Sequence, residues 1–160
     1  MAEPKTNAMR LLDRKKIEYR VHSYPHGEEA VDGLTVARIT GQDPARVFKT
    51  LVARSVDGRI FVFVIPVAAE MDLRKAAKAA GAKSVALVHV AELPGLTGYV
   101  RGGCSPVGMK KQYPVFFHSS MEELDSVLVS AGKIGWQIEL SPADLLAYTG
   151  GKIADLISED

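Results

Sequence analysis

The 160-residue chain has little that would staple it, anchor it in a lipid bilayer or fasten it to a charged polymer. It holds one cysteine, so an internal disulfide is impossible, which suits a reducing compartment. No run approaches the roughly 20 apolar residues of a membrane-spanning helix. Met1-Ala2-Glu3-Pro4-Lys5 lacks the apolar core of a secretory signal, and the expected location is the cytoplasm. Twenty basic residues against nineteen acidic ones leave a net charge of +1. That excludes strong autonomous binding to nucleic acid, which rests on many cationic contacts to phosphate, and leaves a weak or assisted encounter open. The candidate phosphate contacts are Arg14 to Lys16, Arg74 to Lys78, Lys83 and Lys110-Lys111.

Cofactor signatures are equally scarce. His22 and His26 stand four apart, but Pro25 lies between them and no third ligand is near, so no metal site is expected. There is no P-loop run for nucleotide phosphates, and a Ser-His-Asp constellation cannot be placed, since His89 and His118 have no evident partner. No cofactor is expected.

What is present is a hydrophobic content of 47%, enough for a substantial core, with no repeat, linker or composition shift. One domain over 1–160 is expected. Thr6 caps a helix carrying Met9, Leu11 and Leu12 on one face. Residues 19–24 alternate as a strand up to Pro25. Residues 29–39 form a helix weakened at Gly33 and closed by Gly41. Residues 48–54 and the wholly apolar 60–65 read as two strands joined at Asp57-Gly58, the second covered on both faces. Asp72 caps a helix over 73–80, ended by Gly81. Strands follow at 84–88, 115–117, 126–130 and 137–140, with a capping box at Ser119 or Ser120 and Glu122 or Glu123. Ser141-Pro142 starts a last helix. Helices and strands are mixed, and the Asp57-Gly58 hairpin rules out a purely parallel design. The fold class is mixed α/β, with a mixed or largely antiparallel sheet that can curl into a barrel.

Two stretches carry chemistry. In Gly102-Gly103-Cys104-Ser105-Pro106, paired glycines permit positive φ and a close backbone approach to a ligand. Ser105 offers a hydroxyl and Pro106 stiffens the loop. Such a loop can turn N–H groups toward a developing oxyanion. Upstream, Phe48-Lys49-Thr50-Leu51-Val52 places a lysine and a hydroxyl on a strand. Cys104 sits between these motif residues without a neighbouring histidine to lower its pKa, and a buried, non-nucleophilic thiol is expected.

These stretches, with Val47, Ile65-Pro66-Val67, Asp72-Leu73-Arg74-Lys75, Gly81-Ala82-Lys83, Thr97-Gly98-Tyr99, Ser130-Ala131-Gly132-Lys133 and Ile138-Glu139-Leu140, occur in an order that resembles the YbaK family of aminoacyl-tRNA deacylases. That family includes bacterial Cys-tRNA(Pro) deacylases and editing domains inserted in some prolyl-tRNA synthetases. The resemblance implies a six-stranded, barrel-like mixed sheet surrounded by helices. It also implies hydrolysis of a wrong amino acid, cysteine first, from tRNA(Pro), with prolyl-tRNA synthetase as a partner. Another misacylated tRNA, such as an alanyl one, or a non-catalytic adaptor are the alternatives. Lys49, Gly102, Gly103 and Ser105 are then the expected catalytic residues, and Tyr19, Thr50 and Pro106 the expected substrate-binding ones. For a cysteinyl substrate the resemblance implies attack by the substrate's own thiol; for an alanyl one, water must serve. Trp136 and Gln137 depart from the family, whose cysteine-specific branch carries an acidic residue before the Ile-Glu-Leu run.

Overall fold

A computed structural model describes residues 5–25 and 32–159. Its first helix, α1 (Asn7–Arg14), is capped by Thr6, whose Oγ1 accepts from the Met9 N–H, and it buries Ala8, Met9 and Leu12. Strand β1 (Tyr19–Ser23) follows. Helix α2 (Gly33–Thr40) starts at Asp32, whose side chain accepts from the Thr35 N–H, and closes at Gly41. The sequence pattern puts its start at residue 29; the Asp32 cap sets the start here, and residues 29–31 and His26 lie outside the described residues. Strands β2 (Phe48–Ser55) and β3 (Ile60–Pro66) form the hairpin read at Asp57-Gly58. Helix α3 (Leu73–Ala80), capped by Asp72 and ended by Gly81, leads to β4 (Val85–Leu87) and the short α4 (Leu93–Thr97). Then come β5 (Val115–His118), β6 (Val127–Lys133), β7 (Trp136–Leu140), α5 (Pro142–Thr149) and β8 (Lys152–Ala154).

The strands do not form the six-stranded barrel-like sheet that the family resemblance implies. Among the described residues they make two open sheets: three antiparallel strands in the order β1-β7-β6, and five in the order β4-β2-β3-β5-β8. In the second, β2 pairs antiparallel with β3 and β4, whereas β3-β5 and β5-β8 are parallel. Among the described residues the backbones of the two sheets are linked by the bridge between Val47 and Leu128, next to the start of β2. Strand β6 gives one edge to β7, which pairs in turn with β1, and turns its other edge toward Val47. The strand at 152–154, read in sequence only as an apolar tail, forms because Ile153 and Leu156 find apolar surface beside β5. At 119–123 a 3-10 turn forms without a side-chain cap. A capping box is found instead at the separate 3-10 turn Val90–Glu92, where Glu92 accepts from the His89 N–H.

Strand β3 shows why a run without polar residues was needed. Val62 and Val64 enter the core between the two sheets, beside Phe48, Val129, Ile138 and Met9. Phe61, Phe63 and Ile65 face the other way, onto Phe116, Leu156 and the Ala76-Ala77 face of α3. Phe63 and Phe116 stack with ring centroids 5.5 Å apart. At full burial each such side chain contributes roughly 1.5–3 kcal/mol, so both layers depend on this one strand. Among the described residues no helix is long and apolar enough to cross a membrane.

The chain's end is clasped to the second layer. The Asp72 N–H donates to the Leu156 carbonyl at 2.8 Å and the Ser158 N–H to the Glu70 carbonyl at 3.0 Å. Lys75 Nζ reaches Asp155 Oδ2 at 3.0 Å and the Ile157 carbonyl at 2.8 Å. The Leu156 N–H donates to His118 Nδ1 at 3.2 Å. Burial pushes the His118 pKa below its ordinary 6.5, opposed by Asp155 and aided by Lys75. A depressed imidazole pKa means that the unfolded chain binds the extra proton more readily. The stability from this contact is therefore complete above about pH 6.5 and lost as pH falls through the lower folded value. His118→Asn keeps an acceptor near Nδ1 without titrating. Thermal melts at pH 5.0 to 7.0 should show a shallower acid loss in His118→Asn than in the wild type; parallel slopes would remove His118 from the account.

Candidate functional site

The Val47–Leu128 junction is sealed by Ala37 of α2 and by Val67. Beside it lies a cavity of about 110 Å³. The start of β2 supplies Phe48, Lys49 and Thr50, the glycine loop supplies Gly102 and Cys104, and the facing sheet supplies Ser130, Trp136 and Gln137. Tyr24, Gly33, Val36, Val47 and Val67 complete the wall. The two stretches singled out in the sequence, some fifty residues apart, thus meet.

Polar groups in this cavity are under-satisfied. Thr50 Oγ1 and Gln137 Oε1 are buried and have no hydrogen-bond partner among the described residues. Leaving such an atom unpaired costs about 1–3 kcal/mol, so folding alone does not account for keeping two of them in one place. Lys49 forms no ion pair among the described residues. Its pKa lies below the ordinary lysine value because burial strips water from the ammonium, while the more distant Glu70 pulls the other way. Among the described residues, the Lys49 ammonium, the Thr50 hydroxyl and the Gln137 amide oxygen thus line this cavity without a partner.

The glycine loop is held in shape from within. The Gly103 N–H donates to the Val100 carbonyl at 3.0 Å, closing a turn in which Gly102 takes φ 84°, a value that favours glycine. A Cβ on Gly103 would lie 3.1 Å from the Ile134 N and 3.3 Å from Lys133 Cα, so a side chain there would require the β6–β7 turn to give by a few tenths of an ångström. Ser105 is fully buried and its Oγ accepts from the Val107 N–H at 3.1 Å. Tyr99 donates from its hydroxyl to the Val107 carbonyl at 2.5 Å and braces the same segment.

The expected site residues thus separate into groups. Lys49, Thr50 and Gly102 line the cavity. Gly103 and Ser105 stand behind it and hold the loop. Pro106 lies in a different depression, with Leu11, Met109 and Tyr113. Tyr19 is also elsewhere: its hydroxyl donates to Asp13 Oδ1 at 2.9 Å, in a groove of about 840 Å³ whose wall includes Glu18, Asp125, Glu139 and Asp144. That groove is larger, but its carboxylates would repel a polyanion. His22 bonds Glu139 Oε1 through Nε2 at 2.8 Å, and the described residues hold no group of three metal-binding side chains.

The expected site residues do not include Tyr24, Gly33, Ser130, Trp136 or Gln137, although Trp136 and Gln137 stand out in the sequence as departures from the family. Gln137 sits at a polar phase of the Trp-Gln-Ile-Glu-Leu alternation, which predicts solvent exposure, yet it is only 7% exposed because the cavity wall covers it. Gly33 carried a signal, as a glycine inside a helical pattern marks a close approach. A Cβ there would come within 2.4 Å of Val67 Cγ1.

Two outcomes follow from this packing. Gly33→Ala gains up to about 1 kcal/mol of helix propensity, but overpacking costs about 1–3 kcal/mol and wins. Chemical denaturation should therefore show a lower midpoint, and an unchanged or raised one would contradict the close contact. Burial pushes the Cys104 thiol up to about 12, with a Thr97 contact opposing. At pH 8 native Cys104 should resist iodoacetamide and react only on unfolding; rapid alkylation of the folded protein would show an accessible thiolate.

Comparison with known proteins places this geometry. The aminoacyl-tRNA editing domain family matches residues 28–148. A protein of Enterococcus faecalis named for Cys-tRNA(Pro)/Cys-tRNA(Cys) deacylation, EbsC, is 40% identical over 158 residues, covering 99% of this chain and 96% of that one. Among solved structures, a scaffold used for grafting linear epitopes superposes with a TM-score of 0.84 at 23% identity, covering 96% of each chain. A protein described as a trans-editing enzyme for prolyl-tRNA synthetase superposes with a TM-score of 0.82 at 23% identity, covering 98% of this chain and 99% of that one. With its lysine-bearing strand and glycine loop brought to one cavity, the chain belongs to the aminoacyl-tRNA editing domain family.

Proposed function

We propose that this protein is a free-standing editing deacylase that hydrolyses the ester of cysteine mischarged onto tRNA(Pro), working as one domain over 1–160 in the cytoplasm. The observation that carries the reading is the cavity where Lys49, Thr50 and Gln137 lack partners among the described residues, beside the Gly102 loop. The 40% identity to a protein named for that deacylation supports the choice of substrate.

The scissile bond joins an aminoacyl carbonyl to the ribose of a terminal adenosine. It is already activated, and the enzyme's task is positioning and charge stabilisation. Gly102 and Cys104 line the cavity, and their amide N–H groups donate to no acceptor among the described residues. They are the proposed donors to the oxyanion, with Ser105 and Gly103 holding their loop. Lys49 supplies positive charge to the oxyanion, a negative charge that the ground-state ester lacks and the tetrahedral intermediate carries. Thr50 and the Gln137 amide hold the amino acid, and a cavity of about 110 Å³ favours a small one. A buried Cys104 thiol with a pKa of about 12 is not the nucleophile. The attacking group is the cysteinyl thiol or a water.

A chain with net charge +1 neutralises few phosphates, so prolyl-tRNA synthetase is the proposed partner that raises the effective affinity for tRNA. The test is a panel of tRNAs charged with cysteine, alanine, serine or proline. Cys-tRNA(Pro) should lose its amino acid fastest and Pro-tRNA(Pro) should persist. Equal decay of all four, or none above the uncatalysed rate, would overturn the assignment.

Lys49→Met and Lys49→Arg should each lose about 100-fold or more in turnover, the size typical of removing one stabilising group from a developing oxyanion. The thermal transition of Lys49→Met should not fall, since burial already disfavours the ammonium. Cys104→Ala should deacylate within about threefold of wild type, a difference well under 1 kcal/mol. Wild-type rates in Lys49→Met would remove the lysine from the mechanism, and an inactive, folded Cys104→Ala would restore the thiol to it.

A further inference from the structure

We propose that Trp136 is a nucleobase platform, stacking against the terminal adenine of the tRNA while the attached amino acid enters the Lys49 cavity. The inference rests on the deacylase reading and adds a contact to it. The ester and the adenine hang from the same ribose, so once the carbonyl reaches the Gly102 loop, the base must lie against the rim. The cavity, about 110 Å³, cannot also take a purine nucleoside, since pockets for drug-sized ligands run to roughly 300–1,000 Å³.

Three aromatic side chains line the cavity. Phe48 is 3% exposed and Tyr24 is 7% exposed, so neither offers a free face. Trp136 packs against the core between the sheets yet stays half-buried, so part of it remains open at the rim, and its indole N–H has no acceptor among the described residues. It is the first residue of β7, held between Ser23 of β1 and Lys133 of β6. That places the ring at the hairpin against which Gly103 packs, within the reach of one nucleotide from the loop. Lys133 is the partner of Trp136 across the β6–β7 pairing, and Arg101 immediately precedes the Gly102 loop. Both are exposed, and neither has an ion-pair partner among the described residues. An aromatic face next to unpaired cations is the arrangement by which proteins take single-stranded nucleic acid, with the base on the ring and the backbone on the charges.

Trp136 is the chain's only tryptophan, so its fluorescence reports this site alone. The full chain is titrated with uncharged tRNA(Pro) ending in CCA and with the same tRNA ending in CC. Quenching should appear with the first and be absent or at least tenfold weaker with the second. In deacylation, Trp136→Phe should stay within a few-fold of wild type. Trp136→Leu keeps apolar bulk without a flat face, and it should raise KM about 5- to 100-fold with kcat nearly unchanged. Identical fluorescence responses to the two tRNAs, or a wild-type KM in Trp136→Leu, would overturn the platform. The fluorescence arm uses the wild type and holds even where a variant folds poorly. Should the wild type leave Cys-tRNA(Pro) intact while still distinguishing CCA from CC, the deacylase reading fails and the platform stands.

Discussion

The structure turns on the junction where the backbones of two open sheets are linked by the bridge between Val47 and Leu128. A sheet that continued there would bury the first residues of β2 under another strand. Instead the gap is roofed by α2, which Gly33 allows to settle on Val67, and by the Gly102 loop. Lys49 and Thr50 therefore lie in a small space with no strand to pair their side chains. The cost appears as two unsatisfied buried polar atoms and an ammonium whose pKa is pulled down by lost water. Such costs persist in folded proteins where a ligand or a reaction makes use of them.

The remainder of the chain makes that gap rigid. Strand β3 feeds both cores and fixes β2 along seven paired positions, from Phe48 opposite Pro66 to Arg54 opposite Ile60. The Tyr99 and Ser105 contacts hold the glycine loop from behind. The clasp through His118, Lys75 and the residues after β8 secures the segment around Glu70. Glu70 is the carboxylate that acts on Lys49 from a distance. A direct ion pair would neutralise the lysine; separation leaves its ammonium without an ion-pair partner among the described residues.

Local chemistry in the sequence was enough to place the helices and most strands. Thr6, Asp72 and Ser141 cap where their hydroxyl or carboxylate chemistry says they should. The uniform apolarity of β3 correctly implied two covered faces. Sheet closure was not legible, because whether β6 continues a barrel or turns back to β7 depends on pairing between residues far apart in sequence. The site was half legible. Lys49, Thr50 and Gly102 stand out by residue type within motifs, whereas Gln137 looks like an ordinary outward-facing strand residue until the opposite sheet covers it. Tyr19 and Pro106 belong to other depressions, since strand β1 carries Tyr19 toward Asp13 and the turn after Ser105 carries Pro106 toward Met109.

The central claim is that the unpaired groups of the junction cavity receive the aminoacyl ester. The most direct measurement is a crystal structure with a stable analogue, 3′-cysteinylamido-adenosine, in which an amide replaces the scissile ester. The account predicts the amide carbonyl at the Gly102–Cys104 backbone, Lys49 Nζ within hydrogen-bond distance of that oxygen, and the amino acid on Thr50 and Gln137. Binding of the analogue in the acidic groove beside Tyr19, with the Lys49 cavity unchanged, would contradict it.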